Sequence, residues 1–110
     1  MPTYLGEFEQ HLLLAILRLG GQAYGLNIAR ELEATADRKV SRGALYATLD
    51  RLERKGLVRW KPEPGSQARR GLPRRAYAVT ASGRAALAES RERLHKLWRG
   101  VEHLLKGPAS

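Results

Sequence analysis

The hydrophobic period of this 110-residue chain changes at Gly56, and that change restricts the fold more than any other feature. Before it, apolar residues recur at helical spacing in three segments; after it, two short stretches alternate residue by residue, and then a helical period returns. The first helix is expected over Gly6 to Leu19, with Phe8, Leu12, Ala15, Ile16 and Leu19 on one side and Leu13, Leu14 and Leu17 forming a second apolar face. A helix apolar nearly all round must be covered on more than one side. A chain this small hides only about two thirds of its unfolded surface, so this helix is expected between the core and a second subunit. Gly20-Gly21 ends it, and Tyr24-Gly25 opens a second helix to about Ala36, with Leu26, Ile28, Ala29 and Leu32 as apolar positions. A polar link from Thr35 to Lys39 leads to the third, where Leu45, Leu49 and Leu52 follow at i, i+4 and i+7. Ser41 stands at the N-cap position of that helix and Gly56 at its terminus.

The outer face of the third helix carries Gly43, Tyr46, Ala47, Asp50 and Arg54. Small residues let a backbone approach a partner closely, and an exposed tyrosine offers a ring and a hydroxyl, which suits a recognition helix. Two short helices joined by a tight polar link match a helix-turn-helix. Beyond Gly56, Leu57 to Lys61 and Arg74 to Thr80 read as strands, Val58 and Trp60 alternating with Arg59 and Lys61, and Tyr77 and Val79 with Ala76 and Ala78. Between them Pro62 to Pro73 is rich in turn formers and holds Arg69 and Arg70. The expected fold class is mainly α with a small β-hairpin: a winged helix-turn-helix over residues 1–80 and one long C-terminal dimerisation helix within 81–110.

That last helix is expected from Thr80 or Ser82 to about Lys106, closed by Gly107-Pro108. Its seam has Leu87, Leu94 and Val101 at one position and Ser90, Leu97 and Leu104 at the other, flanked by Trp98 and Leu105. An amphipathic helix with such a seam packs against its own copy. A homodimer is therefore expected, joined through Phe8, Leu12 and Ile16 of the first helix and Leu87, Leu94, Leu97, Trp98, Val101 and Leu104 of the last.

The charge is concentrated. Twelve Lys and Arg residues between Arg38 and Arg75 face only Asp50, Glu53 and Glu63, a balance of +9 that equals the net charge of the whole chain. A single-sign field of this kind marks a polyanion binder. Cysteine is absent, so neither disulfides nor thiolate chemistry enter. The N-terminus lacks the basic-then-apolar pattern of a signal peptide, and the apolar run Leu12 to Leu17 is too short to span a bilayer. The expectation is a soluble cytoplasmic protein with no membrane partner. An enzyme is not expected, and no cofactor or metal: His11, His95 and His103 show no ligand spacing, and Glu92-Arg-Leu-His95 is a single Glu-x-x-His where a di-iron bundle needs two.

Leu5-Gly-Glu-Phe-Glu-Gln10 with Leu12 to Leu19, then Tyr24-Gly-x-x-Ile28-x-Arg30-Glu31-Leu32, resembles the PadR family of bacterial transcriptional regulators. The likeness continues through Gly43-Ala-Leu-Tyr46-x-x-Leu49-x-Arg51-Leu52, Gly56-Leu57-Val58 and Tyr77-x-Val79-Thr80-x-x-Gly83. It implies a winged helix-turn-helix dimerised through the C-terminal helix and usually acting as a repressor. Ser41, Gly43 and Tyr46 would then meet the major groove, and Arg75 matches a basic position of the wing's second strand. Many members carry a second aromatic residue just before Tyr77, where this chain has Ala76. On this reading Lys39, Arg42, Arg69, Arg70, Arg74 and Arg75 neutralise phosphates of double-stranded DNA, and Tyr46 with the first turn of its helix reads base edges. A two-fold dimer implies a palindromic operator. Trp98, paired with its symmetry mate and near Phe8 and Leu12, is the expected pocket for a small hydrophobic effector. The alternative is a sequence-indifferent architectural or RNA-binding protein using the same basic surface.

Overall fold

The structure is a computed structural model that describes residues 4–64 and 74–106. Helix α1 (Glu7–Leu19) is followed by a short 3-10 turn (Gly20–Gln22), α2 (Gly25–Ala36), α3 (Arg42–Arg54), strands β1 (Val58–Glu63) and β2 (Arg74–Val79), α4 (Ala81–Trp98) and a last 3-10 turn (Glu102–Leu105). The strands pair antiparallel with Val58 opposite Val79 and Trp60 opposite Tyr77. Opposed residues share a face, so these four side chains lie together and close the core over the helices. The result is the winged helix expected from the change of period at Gly56.

The helix ends follow local chemistry. Ser41 accepts the backbone N–H of Ala44 at 3.1 Å and so caps α3. Thr80 does the same for α4 through the N–H of Gly83 at 3.0 Å, and its own hydroxyl donates to the carbonyl of Gly56 at 2.7 Å. Glu9 reaches back to the N–H of Gly6 at 2.9 Å at the start of α1. Helix α2 ends on Asp37 in the left-handed region (φ 53), with the N–H of Arg38 bonded to the carbonyl of Leu32.

Leu12, Leu13 and Ile16 of α1, Ile28 and Leu32 of α2, and Leu45, Leu49 and Leu52 of α3 are essentially without exposure and meet Leu57, Val58, Tyr77 and Val79 of the hairpin. The first half of α4 completes this core with Ala86, and Leu87 packs against it. Gly83 makes that approach feasible, because a Cβ there would overlap the carbonyl oxygen of Leu57 and come within 2.7 Å of Val79 Cγ1. The motif Thr80-x-x-Gly83 is therefore a cap joined to a close crossing.

Three expectations need correction. Leu12 and Ile16, at 0% and 2% exposure, belong to the chain's own core, so neither meets a second subunit. The outer stripe of α1 consists of Leu14 and Leu17, 48% and 43% exposed. Helix α4 stops at Trp98 rather than near Lys106, because the backbone turns at Gly100 (φ 87), a residue that costs a helix about 1 kcal/mol relative to alanine. Val101 and Leu104 thus lie beyond the helical seam, exposed, and the stop expected at Gly107-Pro108 falls outside the described residues. The seam itself divides: Leu87 faces the core and Ser90 is buried, whereas Leu94 and Leu97 stand exposed.

Candidate nucleic-acid interface

Helix α3 turns Leu45, Thr48, Leu49 and Leu52 inward. At about 100° per residue, the opposite stripe is Gly43, Ala47, Asp50 and Arg54, and all four are exposed. Among the described residues a Cβ built on Gly43 would meet open space. Such a surface suits entry into a groove.

Tyr46 does not lie on that stripe. It is half-buried, and its ring presses on the first residue of α2: a Cβ at Gly25 would overlap the tyrosine hydroxyl and sit 2.8 Å from Cζ. Tyr46 is a wedge between the two helices of the helix-turn-helix, with part of its surface left on the cleft beside them. This corrects the placement of Tyr46, and it explains why Tyr24-Gly25 and Leu45-Tyr46 occur in one chain: Gly25 is the space the ring occupies.

A cleft of about 530 Å³ opens at this junction, lined among others by Leu26, Asn27, Arg42, Tyr46, Arg74 and Arg75. Three arginines from two elements, Arg42 of α3 and Arg74 and Arg75 of β2, thus converge at the N-termini of α2 and α3, with no acid in the lining. Two of them are braced by aromatic rings. Arg74 stacks 3.6 Å from the ring centroid of Tyr24, whose hydroxyl donates to Glu63 at 2.6 Å. Arg75 lies 4.1 Å over Trp60 and within 3.9 Å of Asp50 on α3. Cation–π contacts at partly exposed sites are worth about 0.5–1 kcal/mol, enough to orient a guanidinium. The hydrogen bond to Glu63 holds the Tyr24 hydroxyl above its usual pKa, with burial adding to the shift, so the ring stays neutral. The wing stem is therefore clamped to α2 through Tyr24 and to α3 through Asp50.

Of the other expected contacts, Lys39, Ser41, Arg42 and Gly43 are exposed around the start of α3, and Arg69 and Arg70 lie outside the described residues. Ser41 has its side-chain oxygen engaged by its own helix. Asn27, Leu26 and the Tyr24 brace were missed by the sequence reading; the only signal for them was the glycine after Tyr24.

A second group of charges supports α3 from behind. Glu9, 7% exposed, accepts from Lys55 at 2.8 Å and lies 3.6 Å from Arg51. Burial alone would raise its carboxyl, but the Lys55 and Gly6 hydrogen bonds and the charges of Lys55 and Arg51 outweigh it and hold the pKa below the usual range. Arg51 and Lys55, counted among the basic residues of the central region, are thus partly neutralised on the side facing α1.

Within the single chain Phe8, Leu12 and Trp98 line no common cleft. Leu12 is fully buried, Phe8 lies 4.6 Å beneath Arg38, and neither the arginine cleft nor a second cleft of about 400 Å³ beside Gly20, Trp60 and Ala76 includes any of the three. No group of three or more His, Cys, Asp or Glu residues among the described residues is arranged to hold a metal ion. No helix among them is long and apolar enough to cross a membrane.

The chain matches the sequence profile described as the transcriptional regulator PadR-like family over residues 13–89. It is 40% identical over 80 residues to a transcriptional regulator of Mycobacterium tuberculosis, covering 73% of this chain and 70% of that protein. Among solved structures it is similar to a PadR-like transcription factor from Bacteroides fragilis, with 28% identity, a TM-score of 0.71 and 88% of each chain covered. A PadR family transcriptional regulator from Eggerthella lenta shares 29% identity with a TM-score of 0.63, over 88% of this chain and 85% of that one.

Proposed function

The chain belongs to the PadR-like family of transcriptional regulators, and from that premise we propose that it works as a homodimeric repressor on a palindromic operator. The observation that carries this reading is the exposed outward stripe Gly43, Ala47, Asp50 and Arg54 of α3, flanked by Arg42, Arg74 and Arg75. The stripe enters the major groove. Lys39, Arg42, Arg74 and Arg75, with Arg69 and Arg70 of the hairpin tip, bind phosphates, and Gly43 and Ser41 bring the helix start close to the bases. Tyr46 acts by spacing α2 from α3. The repressor role rests on the family resemblance.

The dimer reading is supported by apolar surface left uncovered. Leu94, Leu97 and Trp98 on the free half of α4 are 53%, 75% and 37% exposed, and Leu14 and Leu17 on α1 add to them. Burying one leucine fully is worth about 1.5–3 kcal/mol, so a symmetric seam of these residues is an ample drive for association. In this division residues 1–80 read DNA and 81–110 pair the protomers, with the first half of α4 shared between the two tasks. Two readers related by a two-fold axis demand half-sites about one helical turn apart.

Selection of bound sequences from a random duplex pool tests the proposal. A two-fold consensus whose binding survives excess random duplex is the expected result, with affinity falling steeply as salt rises because phosphate contacts release counterions. Equal competition by random duplex would replace it with the sequence-indifferent reading.

A further inference from the structure

Within the outward stripe of α3, Gly43 and Ala47 carry no hydrogen-bonding side chain, so direct readout from its centre falls to Asp50, with Arg54 one turn further on. Asp50 is also out of place electrostatically. It is a half-exposed carboxylate in the middle of a face whose surroundings carry the chain's entire excess of positive charge, and it would repel every phosphate near it. An acid at that position weakens binding to all DNA unless a base compensates. The base edge that does so in the major groove is the amino group of cytosine, which donates where a carboxylate accepts.

Arg75 gives Asp50 a fixed bearing. Stacked on Trp60 at 4.1 Å and within 3.9 Å of one carboxylate oxygen, the guanidinium holds the aspartate from the wing side. At that separation, with both groups about half-exposed, the pair is worth little as a stabilising ion pair. Its effect is orientation, and among the described residues no hydrogen bond engages the second carboxylate oxygen.

We infer that Asp50 reads a cytosine in each operator half-site, and that the Trp60–Arg75 stack positions it. The neighbouring Ala47 presents only a methyl group, which suits the methyl of a thymine at the adjacent step. This inference rests on the operator-binding reading above and names the base chemistry at its centre.

The test compares full-length wild type with Asp50→Ala and Arg75→Gln, first by selection from a random duplex pool, then by fluorescence anisotropy on the selected operator and on random duplex. Wild type should select a G·C pair, with cytosine on the strand facing α3, at one position in each half-site. Asp50→Ala should relax that position alone, losing roughly ten-fold in preference for it, while binding random duplex as well as or better than wild type. Arg75→Gln should weaken binding to both duplexes and also blunt the cytosine preference, though less than Asp50→Ala does. Three results would overturn the inference: an unchanged consensus with Asp50→Ala, an equal gain in affinity for every sequence (simple relief of repulsion), or a cytosine preference that Arg75→Gln leaves untouched, which removes the positioning role. Absence of any consensus with wild type would instead remove the operator reading itself, so the two failures are distinguishable. Asp50 is exposed, and a thermal melt matching wild type confirms that the variant remains folded.

Discussion

The two halves of α4 share one heptad pattern and meet opposite fates. Up to Ser90 the helix lies in the core: Gly83 crosses the carbonyl of Leu57, Ala86 is buried, and Leu87 packs beside them. From Arg91 onward the side chains project, and Leu94 and Leu97, at the same seam positions, stand in the open. The radius of gyration, 16.5 Å against about 13 Å for a compact chain of this length, reflects an elongated molecule. Residue size separates the halves. Small residues in the first half let the helix backbone approach the hairpin, whereas the leucines of the second half come where no more of the described chain remains to cover them. One period therefore encodes two surfaces, one packed within this chain and one left exposed.

This contrast breaks most sharply at Gly83. Gly83→Val places three side-chain carbons against Leu57 and Val79 with no room to relax, and should cost about 3 kcal/mol or more, lowering the melting temperature by over ten degrees on the scale of about 4–8 °C per kcal/mol. A wild-type circular-dichroism melt would mean that the first half of α4 is not held against the hairpin. In the free half, Leu94→Glu with Leu97→Glu should reduce association at least a hundred-fold by sedimentation velocity, since each leucine withdrawn from a seam costs about 1.5–3 kcal/mol. The variant should still unfold cooperatively, which no core position would allow. A smaller effect marks the entry to α4. Thr80→Ala removes both the cap of Gly83 and the bond to Gly56, and should cost about 1–2 kcal/mol in denaturant titration, leaving association of the folded chain untouched.

The smallest effect is a pH dependence at the other side of the core. Glu9 is more acidic in the folded chain than when unfolded, so the unfolded chain binds the extra proton and stability rises with pH across that range. The contribution is complete above the ordinary carboxylate pKa and is lost as pH falls through the depressed folded value. Melts of wild type should therefore lose stability in the acid range faster than melts of Glu9→Gln. Parallel acid limbs would show that the Glu9–Lys55 contact adds nothing to the packing of α1 on α3.

How far the sequence could be read depended on the range of the interaction. The ends of α1, α2 and α3 were legible because caps and turns act over three or four residues, as Ser41 on Ala44 shows. The hairpin was legible from alternation, and the pairing of Trp60 with Tyr77 follows from it. The placement of α1 was not. Its two apolar stripes are equivalent by period, and only packing against α2 and α3 selects Leu12, Leu13 and Ile16 for the core and leaves Leu14 and Leu17 outside. Tyr46 was misjudged for a related reason. A tyrosine beside small residues reads as a surface feature until Gly25, twenty-one positions earlier, is brought beneath its ring.

The sequence by itself determined the order and kind of the elements, their capped ends and the concentration of charge between Arg38 and Arg75, because periodicity, capping and charge are properties of neighbours along the chain. Tertiary structure decided which stripe of α1 is core, that Tyr46 is a wedge, that Arg74 and Arg75 stand braced on Tyr24 and Trp60, and where along α4 the core ends. Those outcomes depend on which surfaces meet when the chain closes on itself, and burial is settled by that closure rather than by spacing alone.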